Sequence, residues 1–196
     1  MLCKQKPGFD GALELVREDA MILPKIRDKR FITVRRGGTL SEDDHHLLAI
    51  WAAQCAQHVL HYFEEACPND CRPRQAIEAT KAWVNGEITM KQARFAAGAS
   101  QDAAKEVKRT SEAARLAALS AGQAAVVAHV AAHELGAAAY AIRAVMAASP
   151  KDEKELFRRQ ERQWQQDRLP ERIRDLVLDD ERLRNDLCWF VFSEDL

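Results

Sequence analysis

Between Thr89 and Ser149 alanine dominates the chain, and that bias leaves little choice of architecture. Alanine is the strongest helix former and is depleted in strands, so the region is expected to coil. Its small side chains let helix backbones approach closely but fill little volume, so bulky residues on neighbouring helices must complete the packing. Trp51, Phe63 and Trp83 are the natural donors. The expectation is an all-α chain, a compact multi-helix bundle of antiparallel helices.

Local signals divide it further. Ser41 with Asp44 resembles a capping box, and Leu47, Leu48, Trp51, Cys55, Val59, Tyr62 and Phe63 recur behind it at helical spacing, which predicts a helix over about 42–65. After a Cys67–Cys71 loop, Pro73 suits a first turn, and Ala76, Ile77, Thr80 and Trp83 line a second helix that ends at Gly86. So short a connection favours an antiparallel hairpin. Thr89 with Gln92 forms another capping-box pattern, opening the Ala-rich region; a single break is expected at Gly98–Ser100 and a stop at Ser149–Pro150.

From Lys151 to Asp186 charges alternate in sign, with Glu155 and Arg159 an i,i+4 pair. Leu156, Trp164, Leu169, Ile173, Leu176 and Val177 provide an inward stripe, broken near Pro170. Ala12–Ala20 has the pattern of a short helix. Phe31–Val34 reads as an extended segment, and Cys188–Phe192 is its only counterpart, so either a short β ribbon joins the termini or the tail docks as an apolar plug. Residues 1–196 are read as one helical domain, with 1–30 peripheral and 41–180 the core.

Composition narrows the function. Apolar residues at 47% and charged residues at 30% are globular, and a net charge of -1 gives no global field for nucleic acid or anionic membrane. The start MLCKQKPGFDGA has no apolar run after its lysines, and Ala124–Ala132 is too short to span a bilayer, so a cytoplasmic location is expected. Five cysteines, Cys3, Cys55, Cys67, Cys71 and Cys188, form an odd set best read as reduced thiols, Cys55 as core. Gly37-Gly38 lacks the rest of a phosphate loop, and no serine sits in a nucleophile elbow. The basic segments Arg27–Arg30, Arg35–Arg36 and Arg72–Arg74 are short and offset by Glu42, Asp43 and Asp44, so they read as solvated surface without a nucleic-acid role.

The histidines carry what chemical interest remains. His58 and His61 lie three apart, His129 and His133 four apart, so each pair can share a helix face. Together, with Glu64, Glu65 and Glu134 nearby in sequence, they suit a metal centre inside a bundle. Against this, no glutamate follows His129 as in a zincin helix, and none of these four histidines has a carboxylate three residues before it. Hydrogen-bonded interior or partly exposed histidines are favoured, with no cofactor. His129, His133, Gly136, Tyr140 and Arg143 would form one polar face on an otherwise apolar helix. If buried, that face needs partners such as His58, His61 or Gln54; if exposed, it is a surface for a protein partner. The buried network is preferred, and an Ala-rich helix pairing with its copy leaves a homodimer open.

The segments FITVRRGGTLSEDDHHLLAIWAAQCAQHVLHYFE, RPRQAIEATKAWVNGEITMKQAR, AHVAAHELGAAAYAIRAV and ERQWQQDRLPERIRDLVLDD resemble a family of bacterial immunity proteins associated with polymorphic toxins. The likeness spans about residues 31–180. It implies a cytoplasmic α-helical protein that binds and neutralises a cognate toxin domain, and it carries over no catalytic residue. A metal-dependent enzyme using His58, His61, His129 and His133 is the competing reading.

Overall fold

The computed structural model describes residues 22–194, and the Ala12–Ala20 segment lies outside them. Among the described residues there are eight α-helices: α1 Glu42–Val59, α2 His61–Ala66, α3 Arg72–Val84, α4 Met90–Glu106, α5 Glu112–Val126, α6 Glu134–Ala148, α7 Lys154–Gln166 and α8 Glu171–Leu183. The bundle is all-α; an isolated Thr33–Leu40 bridge is the one β pairing among these residues.

Helix starts follow the sequence closely. Ser41 accepts the Asp44 N–H at the head of α1, the Thr89–Gln92 capping box is complete, and Ser111 caps α5. Interruptions follow it less well. The 42–65 helix breaks at Leu60, where the Leu60 N–H turns to the Gln57 carbonyl and α2 begins. Gly98–Ser100, expected as the break in the Ala-rich region, lies inside α4; the chain turns instead at 107–111 and 127–133, giving three helices there. Ala on both sides of Gly98 keeps that turn helical at a cost of only ~1 kcal/mol.

α5 and α6 occupy the centre, packed on each other, with α4 and α3 against α5, and α1 against α5 and α6. Alanines from α1, α5 and α6 fill the contact, and Trp51 and Phe63, both fully buried, supply the volume that alanine lacks. Serines in the alanine background reach across: Ser100 Oγ donates to the Ala118 carbonyl and Ser120 Oγ to the Ala137 carbonyl, each at 2.7 Å. Each hydroxyl is thus satisfied without widening the helix spacing.

α7 covers α6, and α8 touches α1 and α6. Trp51 Nε1 donates to the Gln165 carbonyl at 2.9 Å, tying α1 to α7. The Glu155–Arg159 pair forms at 2.8 Å, and Leu169, Ile173 and Val177 are buried as the stripe requires. Leu156 is the exception, 53% exposed. Its place on the inner side is taken by Arg158, whose guanidinium donates to the Val191 carbonyl at 2.6 Å.

The terminal ribbon does not form. Phe31 closes a 3-10 turn, Lys29–Phe31, and is buried, while Val34–Arg36 makes a second such turn ended by Gly37 in the left-handed region. The tail is the plug: Cys188, Val191 and Phe192 are buried in the core cluster. Asn185 organises it, its carbonyl accepting the Phe190 N–H at 2.8 Å and its side-chain oxygen the Phe192 N–H at 3.0 Å. With these backbone groups satisfied inside one turn, no partner strand is needed.

Candidate functional site

The six residues singled out from the sequence fall into three separate settings. His58 lies at the end of α1, donating Nδ1–H to Glu161 Oε2 at 2.8 Å and stacking on Trp164 with ring centroids 3.7 Å apart. His61 donates to the His58 carbonyl at 3.1 Å and rests on Tyr62. His129 and His133 belong to the 127–133 connection, so the helical face drawn through His129, His133, Gly136, Tyr140 and Arg143 does not exist as one stripe. Tyr140 and Arg143, on α6, clasp the tail: Trp189 sits 5.1 Å from the Tyr140 ring and 4.1 Å beneath the Arg143 guanidinium.

Neither the four-imidazole site nor the network with Gln54 assembles. The His58–His61 pair and His129 line different hollows, and Gln54 faces solvent. Among the described residues no group of three or more His, Cys, Asp or Glu side chains converges as a metal site. The carboxylates are occupied as well: Glu64 pairs with Arg74, and the fully buried Glu134 pairs with Arg184 at 3.2 Å. Burial drives the Glu134 carboxyl well above its ordinary range, opposed by the Arg184 guanidinium.

His133 donates instead to Gln123 Oε1 at 2.6 Å, from the helix beneath. Gly136 makes this possible, since a Cβ there would lie 2.7 Å from that same oxygen. Burial first, and then the Arg184 charge, lower the His133 pKa to about 4. The imidazole is therefore neutral at neutral pH.

A concavity of about 550 Å³ lies elsewhere, where the N-terminal turns meet the bundle. One wall is the Phe31–Arg36 segment, the other is Trp83, Met90 and the Ala128–Ala131 connection, with Ser41, Glu42 and His45 from the head of α1 between them. His45 fixes the geometry. Its Nε2–H donates to the Val127 carbonyl at 2.7 Å and its ring meets Trp83 edge-on at 4.9 Å. The sequence reading passed over His45, although it stands three before Leu48 and seven before Ala52 on the buried face of α1. Gly38 closes the wall, because a Cβ there would overlap the Ile32 backbone.

Arg27, Arg35 and Arg36 stand at the rim, exposed, and among the described residues none of them forms an ion pair. Most other arginines here are spent on carboxylates: Arg30, Arg72, Arg74, Arg158, Arg162, Arg172 and Arg184 all are. The His129 pKa is lowered by burial and then by Arg36, Arg94 and Arg27, while Glu42 in the same cleft acts the other way on His45. Among the described residues the buried His129 Nδ1 has no hydrogen-bond partner. Val34, 64% exposed, adds an apolar contact beside the charges. Segments read as plain solvated surface thus form one side of a concave, cationic site. The arginines are separated in sequence from His129, so only the fold unites them.

No helix among the described residues is long and apolar enough to cross a membrane. Searches of curated proteins and of solved structures give no match. Comparison with protein families matches residues 38–172, within the 31–180 span of the resemblance, and covers more than half of the chain. It covers most of the helical bundle, including α1 to α7 in full, and on that ground the chain belongs to the Imm-5 like putative immunity protein family.

Proposed function

We propose that this protein acts without catalysis, by binding a cognate toxin domain in the cytoplasm through the Arg27–Arg36 cleft. The observation that carries the proposal is the cluster of exposed arginines, with no ion pair among the described residues, around a concave site with an exposed valine at its edge. Guanidinium groups held at a rim choose a partner of opposite charge and speed its approach, while the apolar wall supplies the area that holds it. The fitting partner surface is therefore acidic, with an apolar side chain at its centre. Family membership supports a protein partner.

Co-expression with the toxin encoded beside it tests the reading. The wild-type chain should protect cells and co-purify with the toxin. Arg27→Glu/Arg35→Glu/Arg36→Glu should lose protection while its helical circular dichroism and melting temperature stay as in wild type. Full protection by that triple variant would overturn the assignment of the cleft.

A further inference from the structure

A second hollow of about 270 Å³ lies between the α1–α2 junction and α7. Tyr62, Phe157 and Trp164 line it, and at its side stands the carboxylate of Glu161, only 3% exposed. The Glu161 oxygens are held by His58 Nδ1–H at 2.8 Å and Gln165 Nε2–H at 2.9 Å. Neither partner is a permanent cation, and no arginine or lysine among the described residues pairs with Glu161. A buried carboxylate so arranged keeps hydrogen bonds yet leaves its charge available to a ligand. The surroundings register that charge: burial first, then Glu161, raise the Tyr62 hydroxyl pKa and that of the Cys55 thiol.

We propose that this hollow is a receptor for one organic cation, a guanidinium or ammonium group seated between the Tyr62 and Phe157 rings with its charge toward Glu161. The molecule already uses such packing, with Arg168 3.7 Å from the Trp164 ring centroid and Arg143 4.1 Å from that of Trp189. Arg168 and His58 cover the two faces of Trp164, so Trp164 serves as a wall and the other two rings as the seat. The volume lies just below the ~300–1,000 Å³ of sites for drug-sized molecules, which suits a single side chain or a small amine. Charge and location separate this site from the cationic cleft.

Titration of the full chain with blocked arginine amide, followed by the ring resonances of Tyr62 and Phe157, tests the proposal. Those resonances should shift saturably with arginine amide and not with the isosteric, uncharged citrulline amide. Glu161→Gln should weaken binding at least tenfold; if that variant fails to fold, Phe157→Ala should do the same. Agmatine and a blocked Gly-Arg-Gly peptide distinguish the source: tenfold preference for the peptide assigns a protein side chain, and the reverse a free amine. Equal binding of arginine and citrulline amides, or unshifted rings at millimolar arginine amide, would overturn it.

Discussion

Arg184, capping the end of α8, reaches back to Glu134 in the first turn of α6, with 3.2 Å between Nη2 and Oε1. The same guanidinium holds Asp180 and donates to the carbonyls of Ala132 and Ile22, at 2.9 and 3.3 Å. One side chain thus joins α8, α6, the connection before α6 and the start of the described chain. Arg184→Met leaves two buried carboxylates and two carbonyls without their donor, and should lower stability by about 3–5 kcal/mol. The midpoint of urea unfolding measures this. Adding Glu134→Gln to Arg184→Met should restore part of the loss, because one stranded charge is removed.

His133 should make the fold acid-sensitive. Its pKa is about 4 in the folded protein against an ordinary 6.5, so the unfolded chain binds the extra proton between those values. The residue's contribution is complete above pH 6.5 and is lost as pH falls toward 4, amounting to roughly 3 kcal/mol at most. His133→Gln should flatten the stability profile from pH 7 to 4. Profiles of equal slope for the two proteins would contradict the burial argument.

Two consecutive tail residues, Trp189 and Phe190, have φ of 55° and 59°, where side chains are disfavoured by about 1–2 kcal/mol each. Phe190 is exposed and gains little in return. Phe190→Gly should therefore raise stability by about 0.5–1 kcal/mol, the relief exceeding the added freedom of the unfolded chain. Trp189→Gly should instead lower it by about 2–3 kcal/mol, since its ring is held between Tyr140 and Arg143. Differential scanning calorimetry of both variants resolves the opposite signs.

Gly38 governs the cleft wall more than the bundle. A Cβ there would strike the Ile32 backbone, which cannot yield as a flexible side-chain end would. Gly38→Ala should displace the 33–40 turn and abolish toxin binding, while the far-ultraviolet helical signal stays within a few percent of wild type. An unaltered affinity would show that this wall takes no part in binding.

Salt should weaken the complex through its rate of formation. The Debye length falls from ~10 Å at 0.1 M to ~3 Å at 1 M, so exposed arginines at the rim lose their reach. The association rate with the toxin should drop about tenfold over that range, and the dissociation rate should change less. The arginine triple variant should lose most of this dependence, as read by surface plasmon resonance.

Much of the fold was legible because its signals are local. Ser41, Thr89 and Pro73 marked helix starts, alanine density marked close packing, and the Glu155–Arg159 pair formed as spaced. The breaks at 107–111 and 127–133 were less legible. No proline or glycine stands there, and what holds the second connection in place includes the His45 bond to the Val127 carbonyl, from a helix far away in sequence.

The candidate site divides along the same line. Residue spacing alone put His129 on a helix with Tyr140 and Arg143, and nothing nearby in sequence showed that the chain turns between them. Periodicity fixed the all-α character, since hydrogen bonding and side-chain entropy act within a few residues. Which polar groups meet was decided only by tertiary packing: Glu161 with His58, Glu134 with Arg184, and Arg27 and Arg36 around His129. Burial of a charge or an imidazole requires partners from whichever elements lie closest in space, and distance along the chain does not record that.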